Sequence, residues 1–91
     1  MTGSQKRMYS EVLEVEGMVP RVDEAIGNLA ELIILINKIQ RETKMADDLI
    51  EKMVNVEMSL NFLKRIFDVN DMAERIQVEK EKQLGRTLKG D

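Results

Sequence analysis

Val22-Asp23-Glu24-Ala25-Ile26-Gly27-Asn28-Leu29-Ala30-Glu31-Leu32-Ile33-Ile34-Leu35-Ile36-Asn37-Lys38-Ile39 carries the pattern from which the fold follows. Its apolar positions Val22, Ala25, Ile26, Leu29, Leu32, Ile33, Ile36 and Ile39 recur in steps of three and four, the period of an amphipathic helix. This predicts a helix over about 22–42. A second series, Ala46, Leu49, Ile50, Met53, Val54, Leu60, Leu63 and Phe67, predicts another over about 46–67, with Asp47 or Asp48 favouring its first turn. The two are nearly equal in length and joined by three or four residues around Thr43, so they should form an antiparallel hairpin. Facing pairs then follow: Glu31 beside Lys52 and Asn55, and Asn28 beside Asn55. Between Leu29 and Ile36 the first helix is apolar almost all round, more than one partner helix can cover.

Outward from the hairpin, Met8, Val12, Leu13 and Val15 fit a short helix ending near Gly17. Downstream, Asp68 or Asn70 can cap a helix over about 70–84 with Met72, Ile76 and Leu84 inward and Gly85 at its stop. The fold class is all-α, a small antiparallel helical bundle in one domain over 1–91, with 1–8 and 86–91 as flexible tails. A chain of this length buries only about 60–65% of its unfolded surface. A homo-oligomer, dimer or tetramer, is the expected way to bury the remaining apolar face.

Composition narrows the chemistry. The chain has 91 residues, 17 acids and 14 bases, a net charge of −3, and no His, Cys or Trp. Disulfides, thiolate metal sites, cysteine nucleophiles and histidine bases are thereby excluded. The aromatics are Tyr9, Phe62 and Phe67, so the expected core is aliphatic, filled by Leu, Ile, Val and Met, with Met45, Met53, Met58 and Met72 as packing. A net negative charge without a basic stripe argues against nucleic acid as partner. The longest apolar run, Leu32–Ile36, is far below the roughly 20 residues that span a bilayer, and no apolar segment follows the basic pair near the N-terminus. No membrane partner is expected, and the chain reads as soluble and cytoplasmic. Ser10, Thr43 and Ser59 have no base in a recognisable pattern, so nucleophilic catalysis has no support. Lys80, Lys82, Arg86 and Lys89 read as a solvated helix end.

A family resemblance adds to this. The runs DEAIGNLAELIILINKIQRETK at 23–44 and DLIEKMVNVEMSLNFLKRIFDVNDMAERI at 48–76 resemble the all-α nucleoside triphosphate pyrophosphohydrolases of the MazG-like group, in particular the short single-domain forms of bacteria and phages. The similarity runs without a gap over roughly residues 9–85 and includes Gly17, the AEL at 30–32, the VE at 56–57 and the LK at 63–64. The resemblance implies an ExxE on one helix and an ExxD on the next. These hold Mg²⁺, which positions a triphosphate for attack by water between the α and β phosphates. Residues three apart share a helical face, and hard Mg²⁺ takes oxygen ligands while retaining water and substrate phosphate.

At the matching positions this chain has Asn28-Leu29-Ala30-Glu31 and Lys52-Met53-Val54-Asn55. Of four expected carboxylates only Glu31 is present. Gly27 stands where a glutamate often precedes the first motif, and Glu16 where tryptophan often precedes Gly17. The set Asn28, Glu31, Lys52 and Asn55 is self-consistent without a cofactor: Lys52 can neutralise Glu31 in place of the cation, and the two amides can complete a polar network. Glu57 and Glu51 are candidate pocket residues that cannot restore three lost ligands, and Asp47, Asp48 and Glu51 suit a helix start better than a metal. The expectation is a catalytically inactive MazG-like pseudoenzyme working by binding, to a protein or a nucleotide. In a phage setting a host protein would be such a target. Residual Mg²⁺-dependent hydrolysis and a purely structural oligomerisation module are the alternatives.

Overall fold

The computed structural model describes residues 1–42 and 48–88. These form four helices: α1 (Gly3–Glu16), α2 (Val19–Glu42), α3 (Leu49–Ile66) and α4 (Asn70–Leu88), with no strand among the described residues. None of the helices is long and apolar enough to cross a membrane. The long helices α2 and α3 pack against each other as the hydrophobic period predicted, α1 lies on α3, and α4 meets α3 only slightly.

Helix α1 begins earlier than its apolar positions announced. Thr2 and Gln5 form a reciprocal capping box, the Gln5 amide donating to Thr2 Oγ1 at 3.1 Å and the Thr2 amide to Gln5 Oε1 at 2.8 Å. Two amides that the first turn leaves unpaired are thus satisfied, and residues 3–8, expected as tail, belong to the helix. At the other end the Gly17 amide donates to the Leu13 carbonyl at 2.9 Å, with Gly17 at φ 81° and ψ 170°. That region is essentially open to glycine alone. Gly17→Ala meets no neighbouring atom within 4 Å, so its cost is backbone strain, about 1–3 kcal/mol. Thermal denaturation followed by circular dichroism is expected to show a fall in Tm of at least about 4 °C.

The break at Gly17 and Met18 lets α2 start at Val19, three residues before its apolar series, with Pro20 in the first turn where a missing amide costs nothing. Asp48 occupies the cap position of α3 but makes no side-chain cap bond. Ala46, Asp47 and the connection around Thr43, with Met45, lie outside the described residues. Helix α3 closes on Asp68 at φ 52°, with the Val69 amide donating to the Lys64 carbonyl at 3.0 Å and the Asp68 amide to that of Arg65 at 3.3 Å. This is the paired closure of a Schellman motif. Asp68 therefore ends α3 rather than capping α4. The Asn70 side chain accepts from Arg65 Nη1 at 3.1 Å, and Arg65 Nε donates to Ser10 Oγ at 3.0 Å, so one guanidinium ties α1, α3 and α4 together.

Helix α4 runs through Gly85 to Leu88 instead of stopping there. Gly85 has no positive φ, and a lone glycine within a helix costs only about 1 kcal/mol relative to alanine. Of the expected C-terminal tail, 86–88 are helical and 89–91 lie outside the described residues. The inward assignment of Met72, Ile76 and Leu84 fails: they are 58%, 49% and 66% exposed, because α4 meets α3 only slightly.

The core is small and differs from the aliphatic one expected. Tyr9, Ala25, Val56 and Phe62 are its buried apolar residues, joined by Ser59. Tyr9 and Phe62 meet edge to face at 4.7 Å with planes 89° apart. Met53, Met58 and Met72, expected as core packing, are all exposed. Two of three aromatics outcompete the methionines because one ring in the α1–α3 crossing fills a volume that several thin side chains would otherwise have to share.

Candidate functional site

The register of the hairpin brings the four sequence-singled positions to one side of α2 and α3. Lys52 Nζ forms an ion pair with Glu31 Oε2, the pair the hairpin geometry predicted. The lysine is the better shielded partner, its side chain 17% exposed against 58% for Glu31. A carboxylate this open is hydrated, so the pair contributes at most about 1 kcal/mol. Its importance lies in the sign of the charge. A fixed ammonium at Glu31 occupies the place where a cation would need a carboxylate, and the two repel. Among the described residues, no three acids converge to hold a metal. The four positions therefore do not fit Mg²⁺: one carboxylate, already neutralised, and two amides are a weak ligand set for a hard divalent ion.

The amides do not close on the ion pair as expected. Asn28 Nδ2 donates instead to Ser59 Oγ at 3.0 Å, one turn further along α3 than Asn55. Asn55 and Asn28 line a common cleft of about 80 Å³ with Arg21, Glu24, Met58, Ser59 and Phe62. The expected four-residue network thus divides in two: Glu31 with Lys52, and Asn28 with buried Ser59. Antiparallel packing explains the division, since Asn28 and Ser59 both turn into the α2–α3 seam, whereas Glu31 sits at its rim. Glu51 and Glu57 are both exposed and line neither cleft nor ion pair.

Arg21 was not anticipated from the sequence. Its guanidinium lies 4.4 Å from the centre of the Phe62 ring, and is held there by Glu16 at 2.7 Å and Glu24 at 3.0 Å. Arg21, Glu24 and Phe62 line one part of the cleft, where a charge is stacked on the aromatic core and neutralised by two carboxylates. The available signal was the i, i+3 spacing of Arg21 and Glu24 on a helix start. The contact with Phe62 was not legible, because it needs the crossing of α2 over α3.

No protein-family model matches the chain, and neither a curated protein nor a solved structure shows significant similarity to it. What the fold and the cleft define is an all-helical bundle with an amide- and hydroxyl-lined groove along one side of a helical hairpin.

Proposed function

We propose that the chain is a non-catalytic, MazG-like protein that works by binding rather than by hydrolysis. The observation that supports this reading is the Lys52–Glu31 ion pair, which puts a positive charge on the one carboxylate left in the expected cage. A metal-assisted hydrolase needs the opposite arrangement, carboxylates converging on an ion that carries water and phosphate. The cleft favours a protein partner over a nucleotide. Its volume of about 80 Å³ is several-fold smaller than the roughly 300 Å³ at which small-molecule sites begin. Its lining of amide, hydroxyl and thioether groups with a neutralised arginine suits a peptide segment.

Two measurements test the proposal. Calorimetric titration with Mg²⁺ is expected to give no saturable heat up to millimolar concentration, and saturable binding abolished by Glu31→Gln would overturn it. A thermal-shift series with nucleoside triphosphates, with and without Mg²⁺, is expected to leave Tm unchanged. A rise with nucleotide alone would move the reading to nucleotide binding, and a rise only with Mg²⁺ present would restore the enzyme reading.

A further inference from the structure

A second cavity, of about 120 Å³, opens where α1, α3 and α4 converge, and it shares no residue with the cleft of Asn28 and Asn55. Lys6 of α1 lines it, with Asn61 and Lys64 one turn apart on α3 and Asn70 and Glu74 one turn apart on α4. Burial sorts these groups by charge. The two lysines and the two asparagines are half-buried, whereas Glu74 is exposed, so its carboxylate is hydrated and screened.

The half-buried wall has donors in surplus. Lys64 takes part in none of the ion pairs among the described residues. Lys6 reaches Asp71 at 3.6 Å, and that carboxylate is 84% exposed, which makes the pair a weak one. The side-chain oxygen of Asn70 accepts from Arg65 Nη1 at 3.1 Å. This orients the amide and leaves its two N–H groups without an acceptor among the described residues. Asn61 gives one N–H to the Tyr9 hydroxyl at 3.3 Å and keeps the other. A half-buried ammonium without a counter-charge is costly, and a ligand that only accepts hydrogen bonds satisfies all of these donors together.

Size chooses among such ligands. At the roughly 30 Å³ that a water takes in the liquid, a cavity of about 120 Å³ has room for about four oxygens, the complement of a tetrahedral oxyanion. It is well below the roughly 300 Å³ at which sites for larger molecules begin. We infer that this three-helix junction binds a phosphate-class oxyanion, with Lys64 as the principal ligand and Lys6, Asn61 and Asn70 completing the set. The bound anion ties α4, which otherwise meets α3 only slightly, to both α1 and α3. This inference does not depend on the function proposed above.

Inorganic phosphate titrated into the full chain at constant ionic strength, followed by amide resonances, is expected to give saturable shifts grouped around Lys6, Asn61, Lys64 and Asn70, with slower amide exchange in the first turns of α4. Lys64→Gln should weaken the binding about tenfold or more. Lys6→Gln, on a different helix, should weaken it as well, and Glu74→Gln should strengthen it about threefold by removing a like charge. Phosphate also stabilises proteins generally by exclusion from their surface, but that effect does not saturate and does not need Lys64. Equal responses in the wild type, Lys64→Gln and Lys6→Gln overturn the proposal, as do saturable shifts centred on Asn28 and Asn55 instead. Glycerol phosphate as a second probe separates the sources: binding as tight as that of phosphate assigns the site to the phosphate group of an ester, and much weaker binding assigns it to the free ion.

Discussion

A triple variant carrying Asn28→Glu, Lys52→Glu and Asn55→Asp is expected to acquire Mg²⁺ affinity that the wild type does not have. The three changes add three carboxylates around Glu31 on two facing helices and remove the lysine that neutralises it, so the carboxylates repel one another in the absence of a cation. The variant should therefore be less stable than the wild type in chelator and recover on addition of Mg²⁺. A dissociation constant near 1 mM corresponds to about −4.1 kcal/mol, and Mg²⁺ at 100 times that constant would stabilise the fold by about 2.7 kcal/mol. For a domain of this size the recovery is a rise in Tm of roughly 10–20 °C, with no comparable rise in the wild type. Slow release of pyrophosphate from a nucleoside triphosphate by the variant, and not by the wild type, would place these positions as a former catalytic cage. Equal Mg²⁺ response in both chains would show that the four positions are not the cage at all.

The second large effect concerns the core. Phe62→Ala removes the ring that touches both Tyr9 and Arg21, and a buried phenylalanine truncated to alanine costs about 3–5 kcal/mol. Total stabilities at this chain length are about 5–14 kcal/mol, so one substitution removes a large share. Urea or thermal unfolding is expected to show a fall in Tm exceeding about 12 °C. The matched control is Phe67→Ala, whose ring is 67% exposed and whose loss should stay within about 0.5 kcal/mol. A similar loss at both positions would mean that Phe62 does not hold the α1–α3 crossing.

Helix existence was legible because α2 and α3 carry a long 3.6-residue period, and the Glu31–Lys52 pairing followed once two helices of similar length were joined by a short turn. Boundaries were less legible. The capping box of Thr2 and Gln5 starts α1 before any apolar residue, and Asp68 in a left-handed conformation closes α3 where a glycine would be the usual sign. The site was half legible. Glu31 met Lys52, but Asn28 turned to Ser59 because a side chain at the seam takes the nearest buried hydroxyl, a choice set by rotation of α2 about its own axis to within a fraction of a turn. The core was misjudged because composition weighs every methionine alike, whereas burial depends on which side of α3 a residue occupies.

The amino-acid sequence by itself determined that the chain is all-helical, that α2 and α3 pair antiparallel, and that only one carboxylate occupies the four positions singled out. Each is a matter of period, length or residue identity, which are local properties. Only the tertiary structure decided which apolar residues are buried and that Arg21 lies on the Phe62 ring. The physical reason is that burial and contact depend on how helices cross. An amphipathic period specifies a face for each helix, but the crossing of α1 over α3 decides which faces meet another helix and which stay exposed.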